Sequence, residues 1–316
     1  MAFRTTIVGL GLVGSSIGLA LRQAGASIEV IGHDKDSGAA KRAYKSGCVD
    51  RTEWNLISAC DGADLVVISI PLVEIKGTLA AMREDLKDNC VVTDTARLKA
   101  PVLRWARESL PNTVHFVGGH PILDKAALAP ETPTPELLAG AAYCLTPDTN
   151  TPPEALQTVS DLAEAVGARP YYLDATEHDG LIAAVEHVPL LLALTIQLMV
   201  NESPSKREII QLSGGDFTSL TQLLAGEAEQ LTELCVLNAS NVARWVDGFL
   251  PQLSKIGELV AAQDSEALQA AFATALETRG DWTRKRFEGE EVDYSEFGAM
   301  RTMFGGSFRP RGKTDE

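Results

Sequence analysis

Three glycines close to one another are the first residues in this chain with a chemical consequence: Gly9, Gly11 and Gly14 in Ile7-Val8-Gly9-Leu10-Gly11-Leu12-Val13-Gly14. An apolar run precedes them and a helical apolar pattern follows. The stretch therefore reads as a buried strand over Thr5 to Val8, a tight turn, and a helix from about Leu12 to Ala24. A helix starting there aims unpaired N–H groups and its positive dipole end over the turn, which suits a pyrophosphate. Gly9 permits the turn, Gly11 lets phosphates approach the backbone, and Gly14 lets helix pack on strand, with Leu12 and Val13 counted in the same phosphate-binding loop. A second strand, Ile28 to Gly32, ends near Asp34, twenty residues after Gly14. A carboxylate there accepts hydrogen bonds from a ribose 2′-hydroxyl and repels a 2′-phosphate. The expected cofactor is NAD, with NADP less favoured although Lys35 is near enough to meet a 2′-phosphate.

A nicotinamide cofactor oxidising an alcohol needs a partner that takes the hydroxyl proton, and histidine suits that task near neutral pH. The chain has five: His33, His115, His120, His178 and His187. His33 falls at the adenosine end and His115 at the start of a strand. His120 follows Gly118-Gly119 at the carboxyl end of a strand, where ligands of open α/β sheets bind, and is the expected catalytic residue. His178, in Glu177-His178-Asp179, falls in the first turn of a helix. His187 lies nine residues further on, about half a turn round an α-helix, which excludes a metal pair; no metal site is expected. His187 reads equally well as a buried core histidine or as a pocket residue.

The elements that must position these groups follow a βα rhythm. Asp64 to Ile70 is a continuous apolar, β-branched run, the mark of a parallel strand buried on both faces. Ser69 and Pro71 at its end, and Asp94 at the end of the next strand, Cys90 to Thr93, are counted as cofactor-side positions. Helices are expected over Ser37–Ser46, Val73–Arg83, Pro101–Leu110 and Pro153–Val166, and strands over His115–Val117, Ala142–Thr146 and Pro170–Leu173. The stretch from Gly118 to Gly140 has no clear period and reads as a functional or mobile loop. The fold class is α/β, a doubly wound parallel Rossmann sheet over residues 1–174, followed by an all-helical substrate and dimerisation domain over 175–288 and a partly disordered tail over 289–316. Helical segments are expected at Thr176–Val200, Ser205–Leu212, Ser219–Leu224, Glu227–Gln263 with a break near Gly248–Pro251, and Ser265–Phe287.

Bulk composition limits the function classes. Net charge is −15, from 28 basic and 43 acidic residues, which argues against nucleic-acid and anionic-membrane partners. The five cysteines are scattered, without C-x-x-C, as in a reduced cytoplasmic protein. Arg4 and the apolar run after it mimic a secretion signal, but the glycine spacing favours strand–turn–helix. The most apolar window, Val188 to Val200, is short for a bilayer span, and much of Leu181 to Val200 is apolar all round, so it should bury against a second copy in a homodimer.

Taken together, Gly9 to Gly14, Asp64 to Pro71, Thr93-Asp94 with Lys99, Gly118-Gly119-His120-Pro121, Leu145-Thr146-Pro147, Glu177-His178-Asp179, His187-Val188-Pro189 and Gly214-Gly215-Asp216-Phe217 with Thr221 resemble the prephenate/arogenate dehydrogenase family, in the family's order. The resemblance implies a Rossmann domain, a helical dimerisation domain, and hydride transfer to NAD(P)+ with loss of CO2 and aromatisation. It places His120 on the histidine that bonds the substrate hydroxyl. The chain departs from the family pattern on the substrate side. Ala96-Arg97 stand where a Gly-Ser pair is usual, Leu190 replaces a second histidine, Gln222 falls on the arginine that clamps a substrate carboxylate, and Ser219 falls on an aspartate. The glutamate expected soon after Gly-Gly-His-Pro is absent as well. Arg97, Gln222 and His187 are accordingly the candidate contacts to a small anionic substrate. Arg97 either replaces the missing clamp from the cofactor side or pairs with an acid or the cofactor phosphates. Two alternatives stand beside this function: a dehydrogenase of another small hydroxy carboxylate, and a non-catalytic dinucleotide-binding sensor dimer.

Overall fold

The computed structural model describes residues 2–25, 27–123 and 132–288. It divides into two compact units, Met1–Asp247 and Gly248–Glu316. In the first, β1 (Phe3–Val8), α1 (Leu12–Gln23), β2 (Ile28–His33) and α2 (Ser37–Lys45) form the expected opening, each within two residues of the sequence-based bounds. A two-residue strand β3 (Arg51–Thr52) and a short helix α3 (Leu56–Cys60) follow, both too short to leave a period in the sequence. Then come β4 (Leu65–Ile68), α4 (Leu72–Met82), β5 (Val91–Asp94), α5 (Ala100–Ser109), β6 (His115–Pro121), β7 (Ala142–Pro147), α6 (Pro153–Ala165) and β8 (Arg169–Tyr172).

The eight strands form one sheet in the order β3-β2-β1-β4-β5-β6-β7-β8. Its first six strands are parallel, as the uniformly apolar runs predict. Alternation along β4 sends Val66 and Ile68 to one face and Val67 to the other, and a separate apolar core covers each face. The parallel run ends at β6: β7 runs antiparallel to it, and β8 runs with β7. A parallel neighbour needs a crossover, usually helical. The described part of the β6–β7 connection, 132–141, holds turns and no helix. The loop expected over Gly118 to Gly140 is thereby shortened from its start, since β6 continues through Pro121. Its middle, 124–131, lies outside the described residues, as does the tail over 289–316.

Helices follow: α7 (Ala175–Ile182), a π-turn (Ala183–His187), α8 (Val188–Glu202), α9 (Lys206–Leu212), α10 (Gly215–Thr221), a 3-10 turn (Gln222–Leu224) and α11 (Ala228–Leu237). The π-turn has a local cause. Pro189 has no N–H to bond back along the helix, and just before it the Val188 N–H reaches five residues back to the Ala183 carbonyl. The last two helices among the described residues are α12 (Ala239–Ala261) and α13 (Ser265–Glu288). The predicted break at Gly248–Pro251 is absent: Pro251 lies within α12 at an exposed position. The interruption falls at Asn238, which leaves helical geometry and is buried. Ala175–Glu202 is continuous and, by length and composition, long enough to cross a membrane, which corrects the shorter estimate from Val188 to Val200. Only 28% of its apolar window is buried within the chain.

Candidate active site

The glycine turn joins β1 to α1. Gly9 has φ +97°, and a Cβ there would stand 2.2 Å from the Ser69 carbonyl oxygen, so no other residue fits this approach of two loops. A Cβ at Gly14 would stand 2.0 Å from the Gly9 oxygen, which is the close helix–strand packing expected of that position. Gly11 is exposed with open space around it, and as N-cap of α1 it offers no side chain to the free N–H groups. Leu12 and Val13, half-buried, form the first turn above it. Asp34 holds this corner together: its carboxylate accepts from the Leu10 N–H at 2.7 Å and the Asp36 N–H at 2.8 Å. Lys35 is engaged by Glu74 at 2.5 Å. Ser69 and Pro71 close the opposite side, with Ser69 bonded to Thr95 at 3.1 Å and Pro71 capping α4. All these positions lie at the carboxyl ends of β1, β2 and β4.

Asp94, counted among the cofactor-side positions, is held by a set of buried contacts at the end of β5. It is fully buried, forms an ion pair with the equally buried Lys99, and accepts from the Ala96 and Gly119 N–H groups at 3.0 Å. Lys99 also donates to the Gly119 carbonyl at 2.6 Å. A Cβ on Gly119 would stand 2.5 Å from the Asp94 carbonyl oxygen, so glycine there lets β6 close on β5. The pair therefore fixes the backbone that carries His120.

His120 is not in a loop; it is paired with Cys144 across β6 and β7 and is 4% exposed. Its Nδ1 meets His178 Nε2 at 3.0 Å, and its Nε2 faces Glu186 Oε1 at 3.8 Å. Burial, reinforced by His178, Lys99, Arg97 and His187, holds its pKa well below the ordinary histidine value. His178 Nδ1 in turn meets Asp179 Oδ1 at 2.8 Å. The Asp179 carboxylate also accepts from the Lys99 N–H at 2.8 Å and the Ala100 N–H at 2.9 Å, tying α7 to the start of α5. His187, on the π-turn, is buried, with Nδ1 3.3 Å from the Asn238 amide nitrogen and no hydrogen-bond partner for Nε2. Burial first, and Arg97 next, lower its pKa to about 4. The wide π-turn changes the angular relation expected of a plain α-helix, so His178 and His187 both face the interior and influence each other.

Arg97 lies 3.7 Å from Glu186, half-exposed, and close enough to act electrostatically on both His120 and His187. Gln222 is exposed on the 3-10 turn that packs on α8. Sequence reasoning missed His178, Asp179, Glu186, Lys99 and Asn238 as site residues. The adjacent His178-Asp179 pair was the available signal; the partners of Glu186 and Asn238 are distant in sequence and left none. A cavity of about 510 Å³ lined by Arg107, His115 and Asp148 lies at the opposite, amino end of β6 and contains none of these residues.

Comparison with known proteins adds a second line of evidence. Residues 17–172 match the family model of the prephenate dehydrogenase nucleotide-binding domain, and residues 174–274 that of the prephenate dehydrogenase dimerization domain. A cyclohexadienyl dehydrogenase of Zymomonas mobilis is 29% identical over 275 residues, covering 86% of this chain and 94% of the relative. A prephenate dehydrogenase of Bacillus subtilis is 26% identical, covering 86% and 74%. Among solved structures, prephenate dehydrogenase from A. aeolicus, in complex with hydroxyphenyl propionate and NAD+, superposes with a TM-score of 0.79 at 23% identity, covering 88% of this chain and 97% of that one.

Proposed function

The chain belongs to the prephenate dehydrogenase family, and from that premise we propose that it oxidatively decarboxylates a cyclohexadienol of the prephenate/arogenate type, with NAD as hydride acceptor. Bound NAD supplies the site that receives the hydride. The chain supplies the rest. Gly9, Gly11 and Gly14 with the first turn of α1 take the pyrophosphate, and Asp34 takes the adenosine ribose, its carboxylate anchored by Leu10 and Asp36 and disfavouring a 2′-phosphate. Ser69 and Pro71 bound the same groove. His120 Nε2 accepts the proton of the ring hydroxyl as the carbon bearing it loses hydride; departure of CO2 then leaves the ring aromatic.

One observation carries this assignment: a buried histidine held below its usual pKa, so that it is a free base at neutral pH, directed by a fixed network near the carboxyl end of β6, on the same edge of the parallel sheet as the nucleotide turn. His120→Asn should lower kcat by about 10²–10⁴-fold, the usual worth of a general base, and leave NAD binding unchanged. Full activity in that variant would reassign the base.

On the substrate side, Arg97 is the cation that replaces the family's clamp, and Glu186 beside it offsets part of that charge. Prephenate, with two carboxylates and no amine, is the poorer substrate of the pair. Arogenate, whose ammonium can face Glu186, is the better. Two copies pair through the helical region from Asp174 onward, where Leu181, Val185, Leu194, Leu198 and Met199 stand exposed in the single chain. A second copy covers this face better than lipid does, because the same helical stretch carries buried His178, Asp179 and His187, which are costly in a bilayer. The free cysteines, four of the five buried, suit a reducing cytoplasm.

A further inference from the structure

Asp179 lies at the junction of two hydrogen-bond chains that end on different histidines. The first leaves from its side chain. Backbone N–H groups, which can only donate, already point at both carboxylate oxygens, Lys99 N–H at Oδ1 and Ala100 N–H at Oδ2. An acceptor at that place requires His178 Nδ1, 2.8 Å away, to carry the hydrogen. His178 Nε2 is then the acceptor for His120 Nδ1–H at 3.0 Å, and the lone pair of His120 falls on Nε2. The competing arrangement gives His120 Nε2 the hydrogen and directs it at Glu186. At 3.8 Å that contact is too long for a hydrogen bond, and Glu186 also faces Arg97.

The second chain leaves from the Asp179 backbone. Its carbonyl accepts from Asn238 Nδ2 at 2.8 Å, and Asn238 Oδ1 accepts from Asn241 Nδ2 at 2.8 Å, which fixes the orientation of the Asn238 amide. The same NH2 group lies 3.3 Å from His187 Nδ1, so it donates its second hydrogen there. His187 then carries its own hydrogen on Nε2. That N–H is buried in a residue 1% exposed and has no hydrogen-bond partner, as expected of a donor waiting for a ligand oxygen.

We propose that Asp179, through His178 and Asn238, sets two active-site imidazoles in opposite tautomers, His120 as acceptor and His187 as donor. His178 and Asn238 are thus positioning residues, and the inference rests on His120 being the base of the reaction described above. In the proton transfer, the substrate O–H bond breaks and an N–H bond forms at His120 Nε2. His120 keeps its Nδ1–H on His178, and the positive charge it gains faces a chain ending on the Asp179 carboxylate. His187 Nε2–H donates to an oxygen of the same substrate.

Long-range ¹H–¹⁵N NMR of the full-length protein labelled in its histidines reports which ring nitrogen is bare, with the His120→Asn and His187→Gln spectra giving the assignments. The expected result near neutral pH is a bare Nε2 on His120 and a bare Nδ1 on His187. Asn238→Asp should reverse His187, by turning the donor to Nδ1 into an acceptor. His178→Gln keeps an acceptor for His120 Nδ1–H and should retain most of kcat, whereas His178→Leu should lose tenfold or more in kcat with KM and NAD affinity little changed. A hydrogen on His120 Nε2 or a bare Nε2 on His187 in the wild type would overturn the proposal. So would equal losses in the two His178 variants. The assigned tautomers in a protein that oxidises neither prephenate nor arogenate would uphold the hydrogen-bond assignment and sink the reaction.

Discussion

Replacing Lys99 by methionine should be among the most damaging single changes away from the substrate. Lys99 and Asp94 are both fully buried, and the ammonium bridges the Asp94 carboxylate to the Gly119 carbonyl. Methionine fills much of the same volume but leaves Asp94 with only the Ala96 and Gly119 N–H groups. Removing one member of a buried ion pair costs about 3–5 kcal/mol. The two remaining donors argue for the lower half of that range, still a large share of the roughly 5–15 kcal/mol that holds a folded protein together. Urea unfolding followed by circular dichroism measures it. The orphaned carboxylate should take up a proton in the folded state that the unfolded chain does not hold at the same pH. The deficit should therefore be larger at about pH 8 than at about pH 5. A double variant, Lys99→Met with Asp94→Asn, should be less destabilised than Lys99→Met alone. A loss below about 1 kcal/mol that is the same at both pH values would refute the buried pair and with it the account of how β6 is held.

Three further outcomes are expected. His120 and His187 both have folded-state pKa values below the unfolded one, so the stability they contribute is complete above pH 6.5 and is lost as pH falls, for His187 through about 4; thermal melts should show this loss, and His187→Gln should shrink it. In activity, kcat/KM should stay flat as pH drops through 6.5 and decline only well below it. Arg97→Ala should raise KM for the preferred substrate by about tenfold, which is about 1.4 kcal/mol of binding, with NAD affinity unchanged, and Glu186→Gln should move selectivity from arogenate toward prephenate. In sedimentation at micromolar concentration the protein should be a dimer, and Leu198→Glu with Met199→Glu should shift it toward monomer; a wild-type monomer would remove the helical face from the account.

Much of the sheet could be read from the sequence because its central strands are buried on both faces, and Leu65–Ile68 shows that directly as an unbroken apolar, β-branched run. Direction is not encoded in such a run, and the antiparallel course of β7 is seen only in the folded chain. The site divides in the same way. Gly9, Gly14 and Asp34 act through local backbone geometry and are visible at fixed spacing. Asp94 was counted on the cofactor side from its place at a strand end, and nothing in Thr93-Asp94-Thr95 shows that Lys99, Ala96 and Gly119 meet its oxygens. His178 and His187 were placed on opposite sides of one helix; the π-turn ahead of Pro189 altered that phase. The contacts Arg97–Glu186 and Asp179–Asn238 join elements far apart in sequence, and only the folded chain reveals them.

Oxidative decarboxylation with His120 as base has a defining stoichiometry. Wild-type protein given NAD and arogenate, and separately prephenate, should release one NADH and one CO2 for each aromatic product formed, faster with arogenate, and His120→Asn should slow all three together while still binding NAD. NAD binding without NADH or CO2 from either substrate would contradict the account and leave a dinucleotide-binding dimer in its place.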